Sequence, residues 1–262
     1  MVRICLLLAS IVFPNCCQAG VTLFGVDNAT DQLITIDPAT GAGTAIGATR
    51  VSRMAGIAVR SDGVIFGSAD IQAELVRLDP ITGEASAVGD FGFTGVRGLA
   101  FDNSGVLYGI DDGADDIITI DTSTGKGTRL SRVGLTDVSG LAFDSVNTLF
   151  ATDFIKGNLL TIDPTTGSHT VIGGFGLGSS QIRSLAFHNG VLYGADTVSD
   201  QLYTIDTSDG KATSVGSFMG FGAVSGIAFS SASVPEPASG CVWLLATLLS
   251  VFCRFRVTFA TR

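Results

Sequence analysis

The sequence predicts an all-β fold in which one structural unit is repeated five times. Aspartates that follow a short apolar run are spaced by steps of 42, 42, 42 and 43 residues; they are Asp37, Asp79, Asp121, Asp163 and Asp206. A fixed period of this length is typical of repeat architectures. Each period holds four short runs rich in β-branched and aromatic residues and bounded by Gly, Asp, Pro or Ser, the pattern of antiparallel strands. Four strands in each of five periods predict a five-bladed β-propeller with four-stranded antiparallel blades.

The second copy shows the predicted elements in chain order. They are Gly56–Val59, the turn Ser61–Gly63, Val64–Gly67, Leu75–Leu78, the turn Asp79–Gly83 and Ala85–Gly89. In the second turn, we expect the Asp79 carboxylate to accept backbone N–H groups, and Gly83 to supply the positive φ that reverses the chain. Strands with apolar residues on both faces, such as the one that contains Leu33 and Ile34, fit blades packed between two neighbours.

The two ends of the repeat region are predicted to complete one blade together. Each full copy contains a run similar to Gly-Leu-Ala-Phe and then a run with a Phe or Tyr, which is followed by Gly except at Phe150. The chain starts with the second run, at Phe24, and ends with the first, at Gly226–Phe229. Pairing of these two segments closes the ring and leaves no open edge to aggregate. The propeller domain is therefore predicted to cover residues 20–230.

Composition and charge exclude several classes of function. The chain of 262 residues has a formal net charge of −9. This argues against nucleic acid as a partner, because phosphate binding needs a basic face. The cysteines all lie outside the repeats, at Cys5, Cys16, Cys17, Cys241 and Cys253. The repeats therefore contain no disulfide framework, no cysteine-ligated zinc site and no cysteine nucleophile.

The first 19 residues have the pattern of a secretory signal peptide. Arg3 precedes the apolar run Ile4–Phe13, which is too short to span a membrane, and small residues flank a cleavage site between Ala19 and Gly20. We predict that residues 1–19 are removed by signal peptidase. The alternative is a lipoprotein signal that uses Cys16 or Cys17, although the residues before them fit that pattern poorly.

The composition changes again after the last repeat. Residues 231–239 form a small polar linker followed by the motif Val234, Pro235, Glu236 and Pro237. An apolar run over residues 240–253 predicts a hydrophobic helix near the lower length limit for crossing a bilayer. Arg254 and Arg256 make the tail of residues 254–262 basic, which favours a cytoplasmic end.

These three parts, in this order at the C-terminus, resemble a PEP-CTERM sorting signal. The resemblance implies a Gram-negative-type bacterium, transient retention in the inner membrane and processing by an exosortase-like membrane protease. It also implies association with exopolysaccharide or a biofilm matrix. The chain departs from the pattern in the six residues after Arg256. The alternative interpretation is a plain C-terminal membrane anchor.

The repeats are similar to secreted bacterial propellers of the NHL, YVTN and WD40 type. The shared pattern is Leu-x-x-Ile-Asp-x-x-Thr-Gly followed by Ile-Gly, and the Trp-Asp pair of WD40 repeats is absent. Propellers of this kind have many functions. The resemblance therefore implies a fold and not an activity.

An acidic residue follows the second strand of most copies. These residues are Asp27, Asp111, Asp153 and Asp196, with Asp70 one position later in its copy. The repeat places them in a ring at one height. They are expected either to cap the connection that leaves the strand or to form a rim that binds calcium or a basic partner. Calcium is the only cofactor that the sequence suggests.

Arg97 and Arg183 occupy equivalent positions directly before the first run of their copies. If that run is the innermost strand, both side chains lie at the mouth of the central channel. There they could clamp a carboxylate or a sugar acid, or form ion pairs with neighbouring aspartates. The sequence contains no Gly-x-Ser-x-Gly elbow and no phosphate-binding glycine loop.

The leading hypothesis is a secreted or cell-surface propeller that binds without catalysis. Its expected ligand is an extracellular polysaccharide or a surface protein, and its expected location is the cell surface or the extracellular matrix. One alternative is an extracellular enzyme acting on glycans or lactones at the mouth, with Asp and Arg as the working groups. Another is a surface scaffold stabilised by calcium.

Overall fold

The structure is a computed structural model that describes residues 21–178 and 181–230. All regular elements within these ranges are β-strands, and no helix there is long and apolar enough to cross a membrane. Several predicted segments lie outside the described residues. They are the signal peptide with Ala19 and Gly20, the linker with Val234, Pro235, Glu236 and Pro237, the hydrophobic helix of residues 240–253, and the tail with Arg254 and Arg256.

The strands form five separate sheets of four, which are the blades. Blade 1 contains β20 (Val224–Ser230), β1 (Thr22–Asp27), β2 (Gln32–Ile36) and β3 (Gly43–Ala48). Blade 2 contains β4 (Met54–Val59), β5 (Ile65–Ala69), β6 (Glu74–Leu78) and β7 (Ala85–Asp90). Blade 3 contains β8 (Val96–Phe101), β9 (Leu107–Asp111), β10 (Asp116–Ile120) and β11 (Gly127–Arg132). Blade 4 contains β12 (Val138–Phe143), β13 (Leu149–Asp153), β14 (Asn158–Ile162) and β15 (His169–Gly174). Blade 5 contains β16 (Ile182–His188), β17 (Val191–Asp196), β18 (Gln201–Ile205) and β19 (Ala212–Ser217).

Blade 1 is shared by the two ends of the described chain, as predicted. Strand β20 pairs antiparallel with β1, with Phe229 opposite Leu23 and Ala228 opposite Phe24. The first strand of each blade, counted from the axis, packs against the first strands of both neighbouring blades. The predicted all-β, five-bladed propeller with four-stranded antiparallel blades, closed by its own ends, is thereby confirmed.

Aromatic pairs join successive blades near the axis. Each pair consists of a residue on the second strand of one blade and a residue on the innermost strand of the next. The pairs are Phe66–Phe101, Tyr108–Phe143, Phe150–Phe187 and Tyr193–Phe229, with ring centroids 5.0 to 5.8 Å apart. Aromatic pairs at this distance stabilise the folded state beyond the burial of the rings alone. These pairs therefore stabilise the contacts between neighbouring blades.

At the outer rim, a turn of one blade packs against the outer strand of the preceding blade. Gly83, with φ of 79°, lies so close to β3 that a Cβ atom on it would collide with the carbonyl oxygen of Gly47. A Cβ on Gly47 would in turn collide with the carbonyl of Thr82. We call this arrangement the perimeter contact. It recurs at Gly41 with Gly216, Gly125 with Gly89, and Gly210 with Gly173.

The perimeter contact between blades 3 and 4 is built differently. Ser131 stands where the other outer strands have glycine, and its hydroxyl donates a hydrogen bond of 2.6 Å to the carbonyl of Pro164. Gly167 still approaches the carbonyl of Arg132 too closely to accept a Cβ. The two glycines of the repeated motif are thus explained by backbone contact between blades, with a serine hydrogen bond replacing one of them.

The residue after an outer strand ties two blades together through its backbone. The Phe91 N–H donates to the carbonyl of Ala73 in blade 2 at 3.0 Å, and the Phe91 carbonyl accepts the Gly127 N–H of blade 3 at 2.8 Å. Phe175 makes the corresponding pair of bonds between blades 4 and 5. The side chains of Phe91 and Phe175 are fully buried. These phenylalanines therefore cover the blade interfaces.

Candidate functional site

One end of the central channel opens into a mouth built from three residues of each blade. The first ring directly precedes the innermost strands and contains Ala223, Arg53, Gly95, Asp137 and Gln181. The second ring is the second residue of those strands and contains Ser225, Ala55, Arg97, Ser139 and Arg183. The third ring follows the second strands, and its members are Asn28, Asp70, Asp112, Phe154 and Thr197. In every blade the third-ring N–H donates to the first-ring carbonyl, at 3.1 to 3.4 Å, which fixes the rings relative to one another.

A β-bulge in every innermost strand presents the second ring to the mouth. In blade 5, Ile182 is opposite Asp196 and Ser184 is opposite Ala195, which leaves Arg183 without a strand partner. The register shifts at the corresponding place in the other four blades. A bulge bends the strand and redirects a side chain. This local irregularity allows Arg97 and Arg183 to lie at the mouth while their neighbours pack into the blades.

The mouth encloses a cavity of about 280 Å³. Its lining comes from all five blades and consists of Asn28, Arg53, Ala55, Asp70, Arg97, Ser139, Gln181, Arg183, Thr197, Ala223 and Ser225. A cavity of this size is at the small end of ligand-binding pockets, which span roughly 300 to 1,000 Å³. It suits a single small group, such as one sugar unit or one side chain of a partner.

Two of the three arginines that line the cavity are neutralised by third-ring aspartates. Arg53 Nη2 lies 2.8 Å from Asp70 Oδ2, and Arg97 Nη2 lies 2.7 Å from Asp112 Oδ2. The Arg97–Asp112 pair is partly buried, with both side chains about one quarter exposed (23% and 26%). Both pairs are formed between the innermost strand region and the loop of the same blade, so each blade supplies its own counter-ion.

Arg183 differs from the other two arginines in its partners. Its Nε and Nη2 atoms donate to one acceptor, Gln181 Oε1, at 3.2 and 2.7 Å. Among the described residues, no carboxylate lies within ion-pair distance of its guanidinium. The guanidinium instead packs over Phe154 of blade 4, with Cζ 4.2 Å from the ring centroid. Such a contact stabilises a cation without neutralising its charge.

Electrostatics also distinguish Arg183. Burial lowers the pKa of its guanidinium, and repulsion from Arg97 lowers that pKa further. Attraction by Asp112 and by Asp137 acts in the opposite direction, and each is smaller than the burial effect. Arg97 lies over the same Phe154 ring, with Cζ 5.7 Å from its centroid. Two guanidinium groups from blades 3 and 5 thus converge on one phenylalanine from blade 4.

The four aspartates that were expected either to cap the connection or to form a rim are buried beneath the mouth and are not among the residues that line its cavity. Asp27, Asp111, Asp153 and Asp196 are each at most 5% exposed. Their carboxylates accept N–H groups of the following turn: Asp27 from Ala29 at 3.0 Å, Asp111 from Gly113 at 3.3 Å, Asp153 from Lys156 at 3.0 Å and Asp196 from Val198 at 2.8 Å. They therefore cap the connection that leaves the second strand.

The physical reason is the alternation of side chains along a strand. Adjacent residues point to opposite sides, so a position one residue later faces the mouth instead. Asp70, which the sequence places one position later than the other four, accordingly lies in the third ring and lines the cavity. Repetition alone identifies a ring of equivalent positions but does not show which side of the strand they face.

The carboxyl groups with raised pKa values are not among the residues that line the cavity. Burial raises the pKa of Asp111 and of Asp115, and nearby aspartates raise both further. Within the described ranges, no three His, Cys, Asp or Glu side chains lie together in a way that could hold a metal ion. The arrangement at the mouth thus offers hydrogen-bond donors and a cation, with its lining carboxylate held in an ion pair.

Sequence reasoning identified Arg97 and Arg183 but missed several residues around them. Arg53, Gln181 and Phe154 carry no recognisable motif, and each occupies a position where the other blades have different residues. That variation at equivalent positions is itself a signal. Aligning the five copies and searching for columns that do not repeat would have drawn attention to all three.

Comparisons with known proteins support the fold and no more. No protein-family model matches the chain, and neither does any curated protein sequence. The chain is similar to one in the crystal structure of a nidogen/laminin complex, with a TM-score of 0.60 and 15% identity over 80% of this chain and 98% of that chain. A weaker similarity, with a TM-score of 0.47 and 12% identity, links 73% of this chain to 68% of a virginiamycin B lyase from Staphylococcus aureus. By its structure, the described chain is a five-bladed β-propeller.

Proposed function

We propose that this protein is a secreted or cell-surface propeller that binds an extracellular polysaccharide at its mouth without catalysing a reaction. The observation that carries the proposal is the composition of the cavity lining. Guanidinium, amide and hydroxyl groups surround the cavity, while Asp70, the acidic residue of the lining, is held by Arg53 at 2.8 Å. A general acid or base needs a carboxyl group that is free to exchange a proton. The lining therefore favours binding over glycan or lactone chemistry.

The ends of the chain support the proposed location. An N-terminal signal with Ala19 and Gly20, and a tail with Val234–Pro237 and Arg254, fit export followed by sorting through an exosortase-like protease. Expression in an exosortase-containing bacterium tests this. Mass spectrometry of the mature protein should show loss of residues 1–19 and of the segment after the motif. Replacement of Pro235 and Glu236 by alanine should leave the tail attached. An intact tail on the unaltered protein would favour a permanent anchor instead.

Thermal melting of the full-length chain with a panel of acidic and neutral polysaccharides tests the binding proposal. A ligand at 100 times its dissociation constant stabilises the folded state by about 2.7 kcal/mol, which raises the melting temperature measurably. Ala55→Tyr should abolish that rise by filling the cavity. Position 55 tolerates a large side chain, because the equivalent positions hold Arg97 and Arg183. The matched control is Ala87→Tyr, on an exposed site of the outer strand β7.

Two results would contradict the proposal. One is a melting temperature that no polysaccharide raises. The other is an equal rise for the unaltered protein and Ala55→Tyr, which would place binding elsewhere. In the first case, a protein partner is the next hypothesis, since the similar fold of the nidogen/laminin structure occurs in a protein–protein complex.

A further inference from the structure

The mouth contains one arginine that forms no ion pair with a described carboxylate, although Asp112 and Asp137 attract it from beyond ion-pair distance. Arg53 and Arg97 each have an aspartate in direct contact. Arg183 has Gln181 and the face of Phe154 instead. Arg183 is therefore partly buried and held in one orientation by an amide and an aromatic ring, with no carboxylate in direct contact. This arrangement suits the binding of an anionic ligand group.

The free edge of Arg183 defines what it can bind. Gln181 Oε1 occupies the edge formed by Nε and Nη2. The opposite edge, formed by Nη1 and Nη2, has N–H groups that donate to no acceptor among the described residues. Two parallel N–H groups on a planar guanidinium match the two oxygens of a carboxylate. A ligand carboxylate lying in the plane of the guanidinium would leave the contact with Phe154 undisturbed.

Arg97 adds a second positive group beside the same position. Its guanidinium is over the same phenylalanine and lowers the pKa of Arg183 by repulsion. Its ion pair with Asp112 is made through Nη2. A carboxylate between the two arginines would relieve their repulsion, and this relief would add to the hydrogen bonds that it accepts.

We infer that the mouth binds one sugar-acid unit of an acidic polysaccharide, with the sugar carboxylate held end-on by Arg183 and attracted by Arg97. This rests on the proposed function of the mouth and names its ligand class. Two further observations favour a sugar acid. The cavity of about 280 Å³ has room for a single small unit. The hydroxyls of Ser139 and Thr197 also line the cavity; each donates its proton to a backbone carbonyl, of Arg183 and Gln181 respectively, and keeps oxygen lone pairs that can accept a hydrogen bond from a sugar hydroxyl.

The overall charge sets a further condition on the ligand. A chain with a net charge of −9 repels a dense polyanion at long range, and this repulsion is screened by salt. The positive charge of the mouth is local. We therefore expect it to take an isolated or terminal acidic unit better than the interior of a polymer that is charged at every residue.

The experiment compares two ligands that differ only at one carbon. Calorimetric titration of the full-length chain with galacturonate and with galactose measures the contribution of the carboxylate. We expect galacturonate to bind about tenfold more tightly or better, because a hydrogen bond to a charged group contributes about 1.5 kcal/mol or more. Arg183→Gln should remove this difference. Arg183→Lys should restore only part of it, since lysine keeps the charge but not the paired donors.

A matched control is available elsewhere on the surface. Arg77 also lies over a phenylalanine, with Cζ 5.6 Å from the Phe66 ring, and has no carboxylate ion pair among the described residues. Because it is on β6 and does not line the cavity, Arg77→Gln should keep the full preference for galacturonate. Loss of that preference in Arg77→Gln would show that general surface charge is responsible and would overturn the inference.

The remaining outcomes separate this inference from the proposed function. Equal binding of galactose and galacturonate, abolished by Ala55→Tyr, would overturn the sugar-acid assignment and leave the mouth as a sugar site. Tighter binding of an acetylated glutamate amide than of galacturonate would assign the carboxylate site to an acidic peptide. If neither sugar binds and no polysaccharide raises the melting temperature, both proposals fail.

Discussion

The perimeter and the mouth of this propeller are built from the same five repeats but differ in how strictly they repeat. At the perimeter, four of the five blade interfaces place one motif glycine against another, and the fifth uses Ser131. At the mouth, the third ring contains four different residue types in five positions. Positions that meet the same neighbour in every blade need the same residue. Positions that face a shared cavity are free to differ, and together they make one asymmetric site.

The largest expected effect on stability is at the perimeter, where neighbouring blades pack together. Phe91→Ala should lower the free energy of unfolding by about 3 to 5 kcal/mol, because a fully buried ring between blades 2 and 3 is replaced by a cavity. Chemical denaturation measures the change. Arg183→Gln serves as the comparison at the mouth, and a similar loss in both variants would remove the distinction between the two regions.

The next effect isolates the backbone contact between blades. Gly83→Ala should destabilise the protein by about 3 kcal/mol, since a Cβ there adds a collision with Gly47 to the strain of positive φ. Gly92→Ala is the matched control. Gly92 has a similar φ of 72°, and a Cβ on it would meet nothing within 4 Å, so only the strain of about 1 kcal/mol applies. Equal losses would show that blade contact contributes nothing at Gly83.

A smaller effect is expected at the mouth. Arg183→Gln should leave the free energy of unfolding within about 1 kcal/mol of its original value. The substitution removes a cation that is partly buried and repelled by Arg97, while it also removes the contact with Phe154. The first change should raise the free energy of unfolding and the second should lower it, so they partly cancel. A loss above about 2 kcal/mol in chemical denaturation would mean that Arg183 is mainly a structural residue.

The smallest expected effects concern two aspartates whose contributions to stability change with pH in opposite directions. Hydrogen bonds from Thr165 N–H and the Thr166 hydroxyl lower the pKa of Asp163 below 3.8. Its contribution to stability is therefore present above pH 3.8 and is lost as the pH falls through the lowered pKa. Burial raises the pKa of Asp111 above 3.8, so its favourable contribution is present below pH 3.8 and is lost as the pH rises through the raised pKa.

Chemical denaturation at a series of pH values from acidic to neutral measures how the free energy of unfolding changes with pH in each variant. Asp163→Asn should reduce the loss of stability on acidification, because the residue that loses stability in acid is gone. Asp111→Asn should increase stability at neutral pH relative to acid, because asparagine cannot ionise in its buried position. The same sign of change in both variants would contradict the assignment of the two environments.

Much of the fold could be predicted because its causes are local or periodic. The turn after each third strand needs an aspartate and a glycine in every copy, and the strand after Asp79 was predicted at Ala85–Gly89 and is observed at Ala85–Asp90. The site was predicted only in part. Arg97 and Arg183 are visible as a pair because they share a repeat position. Gln181, two residues before Arg183, belongs to no motif that marks it, and Phe154 became a neighbour of Arg183 only through the packing of blade 4 against blade 5.

The sequence by itself determined the number of blades, their strand order and the closure of the ring. A period of about 42 residues and the positions of the two end segments are sufficient for that, since antiparallel strands joined by short turns pair with their neighbours in the chain. The tertiary structure decided which side of each strand faces the mouth. The bulges turn Arg183 toward the cavity, and the alternation of the strand turns Asp196 away from it. Alternation itself is local, but which face of a strand meets the mouth, and where each bulge falls, depend on contacts between residues from different strands and blades, which no local pattern records.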